Sequence, residues 1–171
     1  SSIQKLLKAI PKKSFKAGDS QVASRWGNIT EFKNFDLITP NEREARFSLA
    51  DQDSTVGKLS GMLYDETKYK NLILKLGSRG IFCIDSRSKK RIPFSVGVFA
   101  ENILDAVGTG DALLAYSSLS LKVSNSLVKA SIIGSFAASC ACEMEGNKPI
   151  DVENIINKIK QVEKKINYIH K

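Results

Sequence analysis

The chain has 171 residues, 42% of them hydrophobic and 26% charged, which suits one compact soluble domain and excludes disordered, collagenous and low-complexity classes. A fold of this length hides about 70% of its unfolded surface, enough for a self-sufficient core. Lys plus Arg outnumber Asp plus Glu by 26 to 18, a formal charge of +8 that favours anionic partners without choosing among phosphorylated small molecules, nucleic acid and acidic lipid.

In chain order, Ile3, Leu6, Leu7 and Ile10 recur at helical spacing until Pro11 interrupts them. FDLIT, residues 35–39, reads as a short buried strand that ends at Pro40 and hands over to a helix from about Asn41. DQDST is a polar loop in which Asp53 or Ser54 caps a helix carrying Val56, Leu59, Met62 and Leu63. NLILKL, the turn GSRG and IFCID form a hairpin or two adjacent sheet strands, and RIPFSVGVF adds a further strand broken by Pro93 and Gly97.

From Asp111 the period becomes helical through Leu113, Leu114, Tyr116 and Leu119. A small-residue helix follows from about Ser126 to Glu143. The last helix starts behind Pro149 and Asp151 and runs to about Lys165, with Val152, Ile155, Ile156, Ile159 and Val162 as its buried stripe. Strands and helices mixed in this order predict an α/β layered domain, and with no repeat or linker one domain over 1–171 is the simplest account.

The lysine excess sits at the two ends, in Lys5, Lys8, Lys12, Lys13 and Lys16 and again in Lys158, Lys160, Lys164, Lys165 and Lys171, which read as solvated faces of terminal helices. No nucleic-acid module and no interleaving of basic residues with aromatics is visible, so a nucleic-acid partner is not expected. No run of 18 apolar residues occurs, so no membrane span is expected and the default address is cytoplasmic. Cys83, Cys140 and Cys142 are odd in number and lack C-x-x-C spacing, which makes them small buried hydrophobes. His170 is the one histidine and lies beside the C-terminus; His-dependent triads and multi-histidine metal sites are thereby removed.

Three segments carry chemistry. In DAVGTGDALLA, residues 105–115, a glycine turn feeds a helix. Gly108 and Gly110 let the chain bend so that the N–H groups near Thr109, Gly110 and Asp111 face one spot at the positive end of the helix dipole. Asp111 sits there as a base able to take a proton from an attacking hydroxyl, or simply as a first-turn acid. Neither G-x-G-x-x-G nor G-x-x-x-x-G-K-[ST] is completed, so Rossmann and P-loop fingerprints are both absent.

In TPNEREA, Asn41 precedes Glu44 by three residues at a strand end, a capping box or an amide and carboxylate that arrange water around Mg²⁺. In LKLGSRG, Gly77 and Gly80 make a hairpin turn or let a flat nucleotide approach the backbone, with Lys75 or Arg79 near its phosphates.

Taken together, N-x-x-E, then G-x-x-G after an apolar strand, then D-x-V-G-x-G-D before a helix, resemble the ribokinase (PfkB) family of carbohydrate kinases, from about Asp19 to Glu163. DSQ at Asp19, DLITPNEREA and EGNKPI look most like its heptose-phosphate kinase branch. The resemblance implies a ribokinase-like layered sheet with flanking helices, and a kinase that moves a phosphoryl group from ATP to a sugar or sugar phosphate. It makes Asp111 the base and Gly108, Thr109, Gly110 and Asp111 the anion hole.

It also gives Asn41 and Glu44 the placing of Mg²⁺ through water, and Lys75, Gly77 and Gly80 the nucleotide loop. By the same resemblance the helix through Ala137 and Ala138 is expected to help wall the adenine, and Asp105 and Val107 match positions that in several members lie by a monovalent-cation site, for which K⁺ is the candidate ion. Thr109 replaces the commoner alanine, and Ser135 a common asparagine. Family members are considerably longer, with an early Gly-Gly motif and most sugar contacts in an N-terminal half that is missing here. A C-terminal portion is therefore expected, self-associating as a homo-oligomer or completed by the other half, because an unpaired strand edge and apolar patch invite association. A noncatalytic nucleotide-binding or interaction module, or a fragment inactive alone, is the alternative.

Overall fold

The computed structural model describes residues 2–20, 29–146 and 148–169, in two compact units, 1–95 and 96–171. Gln21 of the DSQ segment, Asn147 of EGNKPI, His170 and Lys171 lie outside the described residues.

The first unit holds helix α1 (Ser2–Ala9), strands β1 (Ala17–Gly18) and β2 (Leu37–Ile38), helices α2 (Glu42–Leu49) and α3 (Val56–Thr67), and strands β3 (Asn71–Lys75) and β4 (Ile81–Asp85). With β5 (Phe94–Val96) they form a five-stranded sheet in sequence order. β1, β2 and β3 run parallel, with Ala17 opposite Leu37 and Ile38 opposite Leu72, while β4 returns antiparallel to β3. Leu72, Ile73 and Leu74 are all fully buried, so β3 is an unbroken apolar run of the kind covered on both faces. One core gathers Ile29, Phe35, Ile38, Leu59, Leu63 and Leu72. On α1, Ile3 and Leu7 pack against it, whereas Leu6 is exposed.

α2 starts at Asn41, whose Oδ1 accepts the Glu44 N–H while Glu44 Oε2 accepts the Asn41 N–H, each at 2.8 Å. α3 is capped by Thr55 rather than by Asp53 or Ser54: its hydroxyl accepts the Lys58 N–H, so the loop runs one or two residues further before the chain turns helical.

The second unit comprises α4 (Thr109–Ser124), α5 (Leu127–Cys142) and α6 (Val152–Ile169). α4 and α5 form a tight hairpin made possible by small residues. A Cβ on Gly134 would stand 1.9 Å from Ser117 Oγ and 3.1 Å from the Leu113 carbonyl oxygen. On α4, Leu113 is buried and Leu119 exposed.

On α6, Ile155 is buried against Phe136 and Ala137, and Ile159 and Val162 flank that cluster. Val152 and Ile156 are exposed, so the buried stripe is narrower than the periodicity implies. Lys158 corrects the picture of a solvated basic face. It is only 4% exposed, and its ammonium donates to both carboxylate oxygens of Glu143, at 2.7 and 2.8 Å. Asp151 and Asn154 exchange side-chain-to-backbone hydrogen bonds at the start of α6, behind Pro149 as the sequence suggests. No helix among the described residues is long and apolar enough to cross a membrane.

Candidate functional site

The carboxyl ends of three parallel strands bring together residues far apart in sequence. Asp19 follows β1, Asn41 follows β2 and pairs in a parallel bridge with Lys75, and Lys75 closes β3. This is the edge at which open α/β sheets take their ligands. Glu44 is 6% exposed, and its Oε2 accepts both the Asn41 N–H and, at 3.5 Å, the Ser20 hydroxyl. Burial pushes the Glu44 carboxyl up, against the Asn41 N–H and Lys75, which pull it down.

Lys75 donates to Asp19 Oδ2 at 2.6 Å, and Asp19 Oδ1 accepts the Ser20 N–H at 2.9 Å. Burial likewise raises Asp19, opposed by Lys75. The capping box and the Mg²⁺ reading draw on the same two side chains, the box through Asn41 Oδ1 and Glu44 Oε2. Glu44 Oε1 makes no hydrogen bond among the described residues, which fits one carboxylate oxygen facing a hydrated cation and not a cage of protein ligands. No cluster of three His, Cys, Asp or Glu able to hold a metal occurs among them.

Gly77 (φ +62°) opens a single 3₁₀ turn over Gly77–Arg79, and Gly80 (φ +80°) closes it by donating to the Gly77 carbonyl. Both angles lie in the left-handed region that favours glycine. Arg79 is paired with Glu42, so of the two basic residues weighed for phosphates, Lys75 is the one on the strand edge. It lines a cleft of about 500 Å³ with Asn41, Arg43, Phe47 and Gly77.

In the second unit, Gly108 (φ +79°, ψ −10°) is the N-cap of α4 and makes the bend. Gly110 does not share that role: it lies within α4, outside the left-handed region. The Thr109 N–H is turned back to the Ala106 carbonyl at 3.3 Å, and the first helical bond runs from the Ala112 N–H to the Gly108 carbonyl at 2.9 Å. The N–H groups of Gly110 and Asp111 belong to the first turn and have no intrahelical acceptor, so the amides left open at the head of α4 are these two and not that of Thr109. Asp111 is exposed.

Asp105 clamps the approach to this turn, its Oδ1 accepting the Val107 N–H at 2.9 Å and its Oδ2 the Gly146 N–H at 3.3 Å. Ala137 is fully buried, Ala138 half-buried, and Ser135 buried in α5. Cys83, Cys140 and Cys142 are buried and form no disulfide among the described residues, and burial raises the Cys140 and Cys142 thiols, as inert packing residues require.

The part of the site that sequence reasoning left without a role is Asp19 as partner of Lys75. Its only signal is an acid directly behind a two-residue Ala-Gly strand, and strand pairing across β2 is what joins it to Lys75.

Comparison with known families matches residues 3–153 to the pfkB family carbohydrate kinases. The chain belongs to that family. Bifunctional protein HldE of Campylobacter fetus subsp. fetus is 27% identical over 146 residues, covering 81% of this chain and 31% of that protein. Among solved structures, Escherichia coli phosphofructokinase-2 in complex with substrates and products superposes with a TM-score of 0.76 at 21% identity, over 91% of this chain and 50% of that one. The same enzyme is also known in complex with potassium. Arabidopsis thaliana ribokinase, complexed with ribose and ATP, gives a TM-score of 0.69 at 21% identity, over 84% and 47%. The fold is ribokinase-like, and the chain spans about a third of the HldE relative and half of each solved chain.

Proposed function

We propose that residues 1–171 are the nucleotide-binding and catalytic C-terminal part of a PfkB kinase that transfers the γ-phosphoryl group of ATP to a hydroxyl of a sugar or sugar phosphate. The observation that carries this reading is the left-handed Gly108 turn, which leaves the Gly110 and Asp111 amides without an acceptor among the described residues at the head of α4, with an exposed carboxylate beside them. The acceptor hydroxyl gives its proton to the Asp111 carboxylate, its oxygen bonds to the γ-phosphorus, and the bond from that phosphorus to the bridging oxygen breaks to release ADP. The amides of Gly110 and Asp111 hold the charge on the transferring group.

Asn41, Lys75, Gly77 and Gly80 bind the nucleotide in this reading, with Ala137 and Ala138 on the adenine side. Asn41 and Glu44 would hold Mg²⁺ through water, and the ion would supply neutralisation of phosphate charge. Asp105 already serves two backbone N–H groups, so its part at a K⁺ position is to shape the loop through Val107. A heptose phosphate as acceptor is supported by the DLITPNEREA and EGNKPI segments and by the HldE relative.

In the whole kinase, Asp111→Asn lowers kcat by about 10²- to 10⁴-fold while ATP still binds, as read by coupled ADP release and calorimetry. A near-normal kcat removes Asp111 as the base. The coverage of about half of each solved chain favours a second reading, a nucleotide-binding part that turns over only when self-associated or joined to the family's other half. Calorimetry showing ATP–Mg²⁺ binding by this chain without phosphoryl transfer supports that reading.

A further inference from the structure

Lys75 is gripped from one side only. Its ammonium makes a single hydrogen bond among the described residues, to Asp19 at 2.6 Å, which leaves two of its three N–H donors unused. Both side chains retain 18% of their surface, and Lys75 is on the wall of the cleft shared with Asn41 and Gly77. Asp19 is itself held by the Ser20 N–H, directly behind Gly18, whose carbonyl accepts the Thr39 N–H at 3.0 Å. A lysine stem is flexible and its ammonium is a point charge with no fork to orient it, so an anchor on one donor is what turns it into a directed one. Stability does not account for the pair, because a partly desolvated ion pair gains in attraction little more than it loses in hydration.

We propose that Asp19 is a positioning residue for nucleotide binding: by holding one N–H of Lys75 it presents the other two to phosphate oxygens of a nucleotide in the cleft beside Asn41 and Gly77. This rests on the kinase reading above for the presence of a nucleotide, and adds to it a residue just behind β1 that touches no ligand.

The sign of one effect tests it. Asp19→Asn removes a negative charge from a phosphate site, so charge alone predicts tighter ATP binding, whereas loss of the anchor predicts weaker binding. Calorimetry in Mg²⁺ with ATP and with adenosine compares wild type, Asp19→Asn, Lys75→Met and the double variant. The expected result is about 10-fold weaker ATP binding in each single variant, no further loss in the double, and unchanged adenosine binding. ATP binding by Asp19→Asn as tight as wild type or tighter, or a parallel loss for adenosine, overturns the proposal. Should Asp19→Asn not fold, the Lys75 ¹⁵Nζ resonance of the wild-type chain decides: a shift on adding ADP supports the proposal, and no shift at saturation overturns it. Failure of wild type itself to bind ATP sinks the kinase reading as well, and is distinguishable because no variant is needed to see it.

Discussion

Glu143 and Lys158 offer the sharpest test of how the second unit is held together. The ammonium of Lys158 is almost wholly removed from water, its side chain 5% exposed, and two hydrogen bonds to one carboxylate are what compensate it. Glu143 keeps 25% of its side-chain surface and also accepts the Glu101 N–H at 2.7 Å, so it has water and a second donor when the lysine is gone. The two halves of the pair should therefore not be equivalent. Glu143→Gln strands a desolvated charge, for which breaking a buried pair costs about 3–5 kcal/mol.

Lys158→Met keeps most of the stem's packing and leaves a carboxylate that water can reach, so its cost should be about 1 kcal/mol. For a chain of this length about 3 kcal/mol is a fall in Tm of roughly 6–12 °C. The double variant should be no less stable than Glu143→Gln alone, because it has no orphan charge. Urea unfolding followed by circular dichroism, with hydrogen exchange of α5 and α6 amides to locate the change, measures all three. Equal costs for the two single variants, or a larger one for Lys158→Met, would refute the assignment of Lys158 as the desolvated partner.

Two further outcomes follow from packing. The Tyr69 phenol donates to the Ser60 carbonyl at 3.1 Å, and burial pushes its pKa up from 10.0 to about 12. Its folded value is raised, so its contribution is intact below about pH 10 and is lost as pH climbs toward 12, roughly 3 kcal/mol over that interval. Tyr69→Phe should flatten the fall in urea midpoint between pH 10 and 12, and an unchanged slope would count against the burial argument. Gly134→Ala sets a methyl group against Ser117 Oγ and the Leu113 carbonyl, and the latter is backbone that cannot rotate away. A loss of about 1–3 kcal/mol is expected, read as a lower urea midpoint with unchanged m; a neutral substitution would show that α4 and α5 are less tightly apposed.

Much of this protein is written locally. The Asn41–Glu44 capping box, the Gly108 bend before α4 and the unbroken apolar run of β3 are each set by a few neighbouring residues whose sterics or hydrogen bonds admit one arrangement. Their order along the chain also carries the family, since N-x-x-E, G-x-x-G and D-x-V-G-x-G-D together are far more specific than any one of them.

Other features are decided by contacts that no local pattern encodes. Lys158 looks like one more surface lysine until α5 delivers Glu143 to it, and Val152 and Ile156 look buried because a helical period names a face without saying how wide its neighbour is. Gly110 resembles Gly108 in composition, yet only one of the two bends the chain, because once α4 has begun its own hydrogen bonds set the next residue's angles. Asp19 meets Lys75 fifty-six residues later through parallel pairing on either side of β2, and a register made by tertiary hydrogen bonds is invisible in either segment alone.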